Sequence, residues 1–253
     1  MINNQINLEY AENMFNENEA VNRYYKAVSE VGLWASEKKL IERYFNKNKS
    51  IIDIGCGVGR TTFNLHNLGY KNIEASDFSI KMIEKAEEIN QENNYKIKFL
   101  VDNIISTKLQ ESSYDFALFS YNGIMQIPGR QNRNKAIKSI EKILKDNGIF
   151  IFTTPDRDEV PWKSYWIKEK ERWNSNKQNT RLIDFGDVIF KEEQREFYLH
   201  FPIQNEVMSL FNNTGFSLIY SEMRDKIIQE EDIVKDFSAN CRFWVMQKLI
   251  DTT

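Results

Sequence analysis

The stretch Ile51-Ile52-Asp53-Ile54-Gly55-Cys56-Gly57-Val58-Gly59-Arg60 decides how the rest of the chain is read. Apolar β-formers ending in a carboxylate, followed by glycine at every second position, describe a buried parallel strand whose backbone turns sharply before a helix begins. Side chains in such a turn would hold a bulky ligand away from the backbone; glycine removes them. The dinucleotide fingerprint G-x-G-x-x-G also sets a glycine turn between a first strand and a helix N-terminus. Its frame does not fit: after Gly55 and Gly57 the third position falls on Arg60, the glycine stands at Gly59, and Asp53 occupies the strand end. An acidic turn suits a cationic ligand better than a pyrophosphate.

Outward from this turn the chain alternates strand and helix. Strand 1 ends at Asp53 and its helix spans about 59 to 68; strand 2 lies near 72 to 76; a helix follows Ser79 through Ile89; strand 3 is Ile97 to Val101. Strand 4 is Phe116 to Phe119, a helix covers 131 to 145, and Asn147-Gly148 turns into strand 5 from Ile149 to Thr153. Repeated βα units predict a parallel sheet with right-handed crossovers. Upstream, residues 1 to 17 are rich in Asn and Glu with little apolar periodicity, which predicts poor order until a helix near Glu19. Leu33, Trp34, Leu40, Ile41, Tyr44 and Phe45 form the stripe of a helix from Ser36 to Phe45, with Ser36 as its N-cap.

After Thr154 the rhythm breaks. Pro155 to Lys177 mixes acidic, basic and aromatic residues, and two strands follow around 188 to 190 and 196 to 201, so this part reads as an inserted cap. A helix at 203 to 213, a strand at 216 to 221, a helix near 229 to 237 and a strand at 241 to 247 close the chain. The expected organisation is one domain: an N-terminal helical segment (1–48), a ligand-binding core (50–154), the cap (155–202) and the rest of the core (203–253).

The 253 residues suit a single α/β domain with an insertion. A net charge of −3 and a pI near 5.7 give no overall attraction to nucleic acid or to an anionic membrane. Lys38, Lys39, Arg130, Arg133 and Lys135 are interspersed with other types and read as solvated faces, not as a nucleic-acid track. Cys56 and Cys241 are the only cysteines, with no spacing for a zinc site or a disulfide framework, so no metal is expected and the compartment reads as reducing. No charged leader precedes an apolar stretch and no run of about eighteen apolar residues occurs, so a soluble, cytoplasmic protein is expected.

The pattern D-x-G-x-G-x-G over residues 53–59 resembles the first motif of class I S-adenosylmethionine-dependent methyltransferases. The resemblance implies a Rossmann-like, doubly wound α/β fold, with a mostly parallel seven-stranded sheet and an antiparallel last strand. It also implies S-adenosylmethionine as cofactor, its methionine end held by Asp53 and the turn of Gly55, Gly57 and Gly59 that runs into Arg60. In an open α/β sheet a ligand lies across the carboxyl ends of the strands. Strand 2 leads into Asp77-Phe78-Ser79, where Asp77, 18 positions beyond Gly59, stands at about the spacing at which a carboxylate meets ribose hydroxyls. Its other reading is an acid at a helix start beside Ser79, favoured by the dipole whatever is bound. Strand 3 ends in Val101-Asp102-Asn103-Ile104, which resembles the family's adenine-end motif. There Asp102 would accept from the exocyclic amine, the Asn103 or Ile104 amide would donate to the ring, and Phe78 and Ile104 would flank it; Asp-Asn is also ordinary turn chemistry. Tyr24 lies in the N-terminal segment that in similar enzymes folds over the cofactor.

Strand 4 ends in Ser120-Tyr121-Asn122-Gly123. It lacks the Pro-Pro-aromatic run of enzymes acting on base amines, the Pro-Cys of cytosine C5 methylation and the strand-end Asp of polyamine synthases. The remaining likeness is to small-molecule methyltransferases, in which this exit packs beside the sulfonium at Ser120 and faces the acceptor at Tyr121 and Asn122. A tight turn with a capping serine is the alternative. His200 is the candidate general base, on a strand where alternation puts it with Tyr198 on one face and Leu199 with Phe201 on the other; a hydrogen-bonded structural histidine is the other reading. Trp162, Tyr165, Trp166 and Trp173 share a helical spacing that serves either core packing or a lid over a ring-bearing or cationic acceptor. The leading expectation is methyl transfer to an oxygen or nitrogen of a small molecule. RNA or protein methylation and a non-catalytic cofactor-binding protein are the alternatives, and the sequence says nothing of oligomeric state.

Overall fold

A computed structural model describes residues 5–192 and 195–250. Helices α1 (Leu8–Phe15), α2 (Asn18–Glu30) and α3 (Ala35–Tyr44) lead into the alternating core of β1 (Ile51–Ile54), α4 (Arg60–Asn67), β2 (Ile73–Asp77), α5 (Ile80–Glu92) and β3 (Lys98–Val101). There follow β4 (Tyr114–Phe119), α6 (Arg130–Ile143) and β5 (Leu144–Thr154). Next come α7 (Lys163–Asn174) and the strands β6 (Asp187–Glu192) and β7 (Arg195–His200), which pair antiparallel as a separate two-stranded sheet. The chain ends with α8 (Gln204–Leu210), β8 (Phe216–Met223), α9 (Arg224–Ile227), α10 (Asp232–Phe237) and β9 (Arg242–Lys248).

Seven strands form one sheet in the order β3-β2-β1-β4-β5-β9-β8. β1 pairs parallel with β2 and β4, while β9 runs antiparallel between β5 and β8, as the resemblance implied. The order reverses direction between β1 and β4, the switch point at which doubly wound sheets open a crevice. Alternation along β1 sends Ile51 to one core layer and Ile52 and Ile54 to the other, and β5 repeats this with Ile151 against Phe150 and Phe152. Burial on both faces is why these strands read as continuous apolar runs. Among the described residues no helix is long and apolar enough to cross a membrane.

Three local expectations are corrected. The chain is already helical at α1, where Asn7 accepts from the Tyr10 amide as N-cap and Ala11, Met14 and Phe15 are buried; residues 1–4 lie outside the described residues. Ser36 is not the N-cap of α3. That position is Trp34, whose amide donates to the Glu37 carboxylate at 2.9 Å, while the amides of Ala35 and Ser36 donate to the carboxylate of Glu230. Finally, Asn147-Gly148 does not begin β5 but lies inside it, as an irregularity with Asn147 at φ +60° and a register shift against β4.

Candidate active site

The turn from β1 into α4 holds Gly55 at φ +59° and Gly57 at φ +55°, a region in which side chains are strained. Space makes the same demand: a Cβ on Gly55 would meet the Phe119 ring at 2.5 Å, and one on Gly57 would meet the Tyr24 ring at 3.3 Å. The bare turn forms one wall of a cavity at the carboxyl ends of β1, β2, β3 and β4. Arg60, Asp77, Phe78, Asp102, Asn103, Ile104, Ser120, Tyr121 and Tyr24 line it together with Gly55 and Gly57.

Asp77 is buried, accepting from the Gly57 amide with Oδ2 and from the Ser79 amide with Oδ1, both at 2.8 Å. It thus fulfils the helix-start role while facing the cavity. Burial pushes its carboxyl up to about 6. Asp53 does not line the cavity: its Oδ2 accepts from the hydroxyls of Thr61 and Thr62 at the start of α4, and Thr61 does line it. Oδ1 of Asp53 is buried without a partner, and burial raises this carboxyl to about 6 as well. Asp102 accepts from Thr107 Oγ1 and the Lys108 amide, and Asn103 Oδ1 from the Ile105 amide, so both make turn bonds beside the cavity. Ser79 and Gly59 stand outside the lining. The Ser79 hydroxyl receives the Met82 amide and donates to α1's C-terminal end, at Asn16 Oδ1, and Gly59 is the N-cap of α4.

Arg60 is not free for a ligand. Its guanidinium makes a bidentate pair with Glu37, donates to the Gly32 carbonyl and to Ser120 Oγ, and lies 5.0 Å from the Trp34 ring. The Ser120 hydroxyl donates in turn to Glu37. Glu37, 1 % exposed, supports the cavity wall through Arg60 and Ser120, and the sequence reading gave it no role. The signal was its place three residues after the helix start. Leu8, Ala11, Glu12 and Phe15 of α1 also line the cavity unannounced, at spacings of three, four and seven that fit one helix face.

A second cavity adjoins the first. Tyr24, Tyr121 and Gln126 line both; the second is otherwise walled by Asn122, by Trp162, Tyr165 and Trp166 around α7, by the β6–β7 hairpin and by Phe237. Tyr121 and Asn122 carry φ of +50° and +59°, a strained pair at the exit of β4. Trp173 lies apart from this wall, packing with Ile6, Leu182 and Tyr198. His200 lines neither cavity. It is buried, with Nδ1 2.8 Å from Asp187 Oδ1, an oxygen that also accepts from the Tyr198 hydroxyl, and it borders a separate cleft between Arg133 and Glu206. Burial holds its imidazole below the ordinary histidine range. The pairing of β6 with β7 sets Asp187 opposite His200 and so explains the contact.

A doubly wound sheet with a glycine turn, buried carboxylates and an adjoining second cavity at its switch point defines a cofactor-dependent enzyme of the class I methyltransferase type. The chain belongs to the family described as "Methyltransferase domain", whose profile matches residues 45–215. It is 26 % identical over 211 residues to the phosphoethanolamine N-methyltransferase of Plasmodium falciparum, covering 83 % of this chain and 74 % of that one. It is 26 % identical over 134 residues to the human EEF1A lysine methyltransferase 2, covering 48 % of this chain and 57 % of that one. The magnesium protoporphyrin IX methyltransferase of Synechocystis PCC 6803, solved with bound SAH, superposes with a TM-score of 0.62 at 13 % identity, over 95 % of this chain and 99 % of its own. The protein is an S-adenosylmethionine-dependent methyltransferase. Its residues fit that cofactor: the turn is bare where a Cβ would intrude, and Asp77, a buried carboxylate in the cavity wall, matches a ligand carrying positive charge.

Proposed function

We propose that the protein methylates an oxygen or nitrogen of a small-molecule acceptor bound in the second cavity. The observation that carries this reading is the wall common to the two cavities, Tyr24, Tyr121 and Gln126, which leaves an acceptor and the cofactor side by side. S-adenosylmethionine, when bound, supplies an electrophilic sulfonium methyl group. Asp77 and the bare glycine turn would hold the cofactor, Phe78 and Ile104 would flank its ring, and the Arg60–Glu37–Ser120 network fixes the exit of β4. Tyr121 and Asn122 orient the acceptor.

Positioning is the principal contribution asked of the chain, since holding nucleophile and methyl at attack distance can supply roughly 7 to 11 kcal/mol. No histidine lines the second cavity among the described residues, and burial raises the phenols of Tyr24 and Tyr121 above their ordinary values. His200 serves to hold Asp187 and the hairpin, and Asp236 is the one carboxylate among the described lining residues that could take a proton from the acceptor. Incubation with methyl-labelled S-adenosylmethionine and a cell extract, followed by separation by size, tests the reading. Label is expected in the small-molecule fraction; label confined to RNA or protein would overturn it.

A further inference from the structure

The walls of the second cavity say which small molecules it suits. Three separate parts of the chain line it with aromatic side chains. The Phe190–Phe197 pair of the hairpin is stacked at 5.4 Å and 19°, Tyr121 and Phe237 are stacked at 4.7 Å and 23°, and Trp162 closes the third side from the start of α7. Phe190 packs on Phe197 and still keeps 38 % of its surface exposed.

Charge narrows the class further. Arg23 is the only cation in the lining among the described residues, and it is already engaged, with its guanidinium 5.8 Å from the Phe197 ring and 5.6 Å from that of Phe237. Asp236 is the only carboxylate in the lining among the described residues, and its charge offsets that of Arg23. A phosphate or carboxylate needs converging donors, usually arginines in bidentate geometry, to replace its water. This cavity does not assemble them.

Resting on the proposed small-molecule reading, we infer that the acceptor is a flat, ring-bearing molecule without an anionic group, held by stacking between the hairpin and the β4 exit. Stacking on aromatic side chains is open to any ring with a π face, whatever its substituents. Phe190 is then a specificity residue whose removal weakens acceptor binding and leaves the transfer step alone.

The test uses the full chain and methyl-labelled S-adenosylmethionine. After reaction with a small-molecule extract, the labelled product is expected to pass into ethyl acetate at pH 7, to absorb in the near ultraviolet and to escape an anion exchanger. Phosphoethanolamine as sole acceptor is expected to take no label. Phe190→Ala should raise the half-saturating amount of the active extract fraction about tenfold with maximal turnover within twofold, and Phe190→Leu should fall between. The exposure of Phe190 makes both variants foldable, and unchanged SAH affinity by calorimetry confirms it. A labelled product retained on the anion exchanger, label on phosphoethanolamine, or an unchanged half-saturation in Phe190→Ala overturns the inference and leaves the proposed function standing. Label in macromolecules alone, or in nothing, overturns the proposed function itself.

Discussion

Asp77 accepts two backbone amides and still has its carboxyl raised from 3.8 to about 6, because burial outweighs those bonds. The folded state therefore binds more protons than the unfolded one between about pH 4 and 6. Stability contributed by this group is greatest below pH 4 and is lost as pH rises through 6. A cationic cofactor reverses the preference, since it favours the ionised form. Affinity for S-adenosylmethionine should therefore weaken about tenfold from pH 7 to pH 5, where about a tenth of such a carboxyl is ionised. Asp77→Asn should weaken binding at pH 7 and flatten the profile, in part only, because Asp53 titrates in the same range. Calorimetry across pH decides; a variant profile parallel to the wild type would remove Asp77 from the linkage. Asp77 was legible in the sequence because a strand end is a fixed address in this fold. Glu37 was not: its partner Arg60 lies 23 positions away, and only the packing of α3 on the glycine turn buries the pair.

Among elements, α3 shows how a helix start can depend on the far end of the chain. Its first amides go to Glu230, almost 200 positions later, which ties the N-terminal helices to the segment before α10. Glu230→Ala would orphan both amides, and charge-assisted bonds of this kind contribute about 1.5 to 3 kcal/mol each, less where water reaches them. A loss of about 2 kcal/mol is expected in urea unfolding, with Glu230→Gln losing about half; an unchanged midpoint would show that water replaces the carboxylate. Local sequence signals cannot announce such a cap, which is why Ser36 stood in for it. The strands and helices between Ser50 and Thr154 were legible because alternating apolar runs and turn residues are local properties. The short α1 was overlooked among polar residues, although Asn7 and the spacing of Leu8, Ala11 and Phe15 carried the signal. His200 was left with two readings for a different reason: alternation gives the face of a strand, but only the register of the hairpin shows that this face meets Asp187.

In the whole molecule the two cavities are closed by parts that are remote in sequence and bound to one another. Helix α1 walls the cofactor cavity, and Tyr10 on it donates to Glu196 of β7 across 186 positions, at 3.0 Å. Arg181 completes the latch, pairing with Glu196 at 2.8 Å and lying 5.2 Å from the Tyr10 ring, while Ile6 hydrogen-bonds the Arg181 carbonyl. The hairpin gripped in this way also walls the second cavity. Lifting α1 is then a local opening whose free energy includes its hold on the hairpin. Tyr10→Phe removes one partly exposed bond and should speed SAH dissociation about threefold in stopped-flow measurements, with faster hydrogen exchange along α1; equal rates would mean that the cofactor leaves by another route. The latch has a kinetic consequence. If the spent cofactor leaves by way of the first helix, its departure and the loosening of the hairpin are expected to be coupled, and a molecule that packs the hairpin tightly is expected to prolong the residence of a cofactor it never touches.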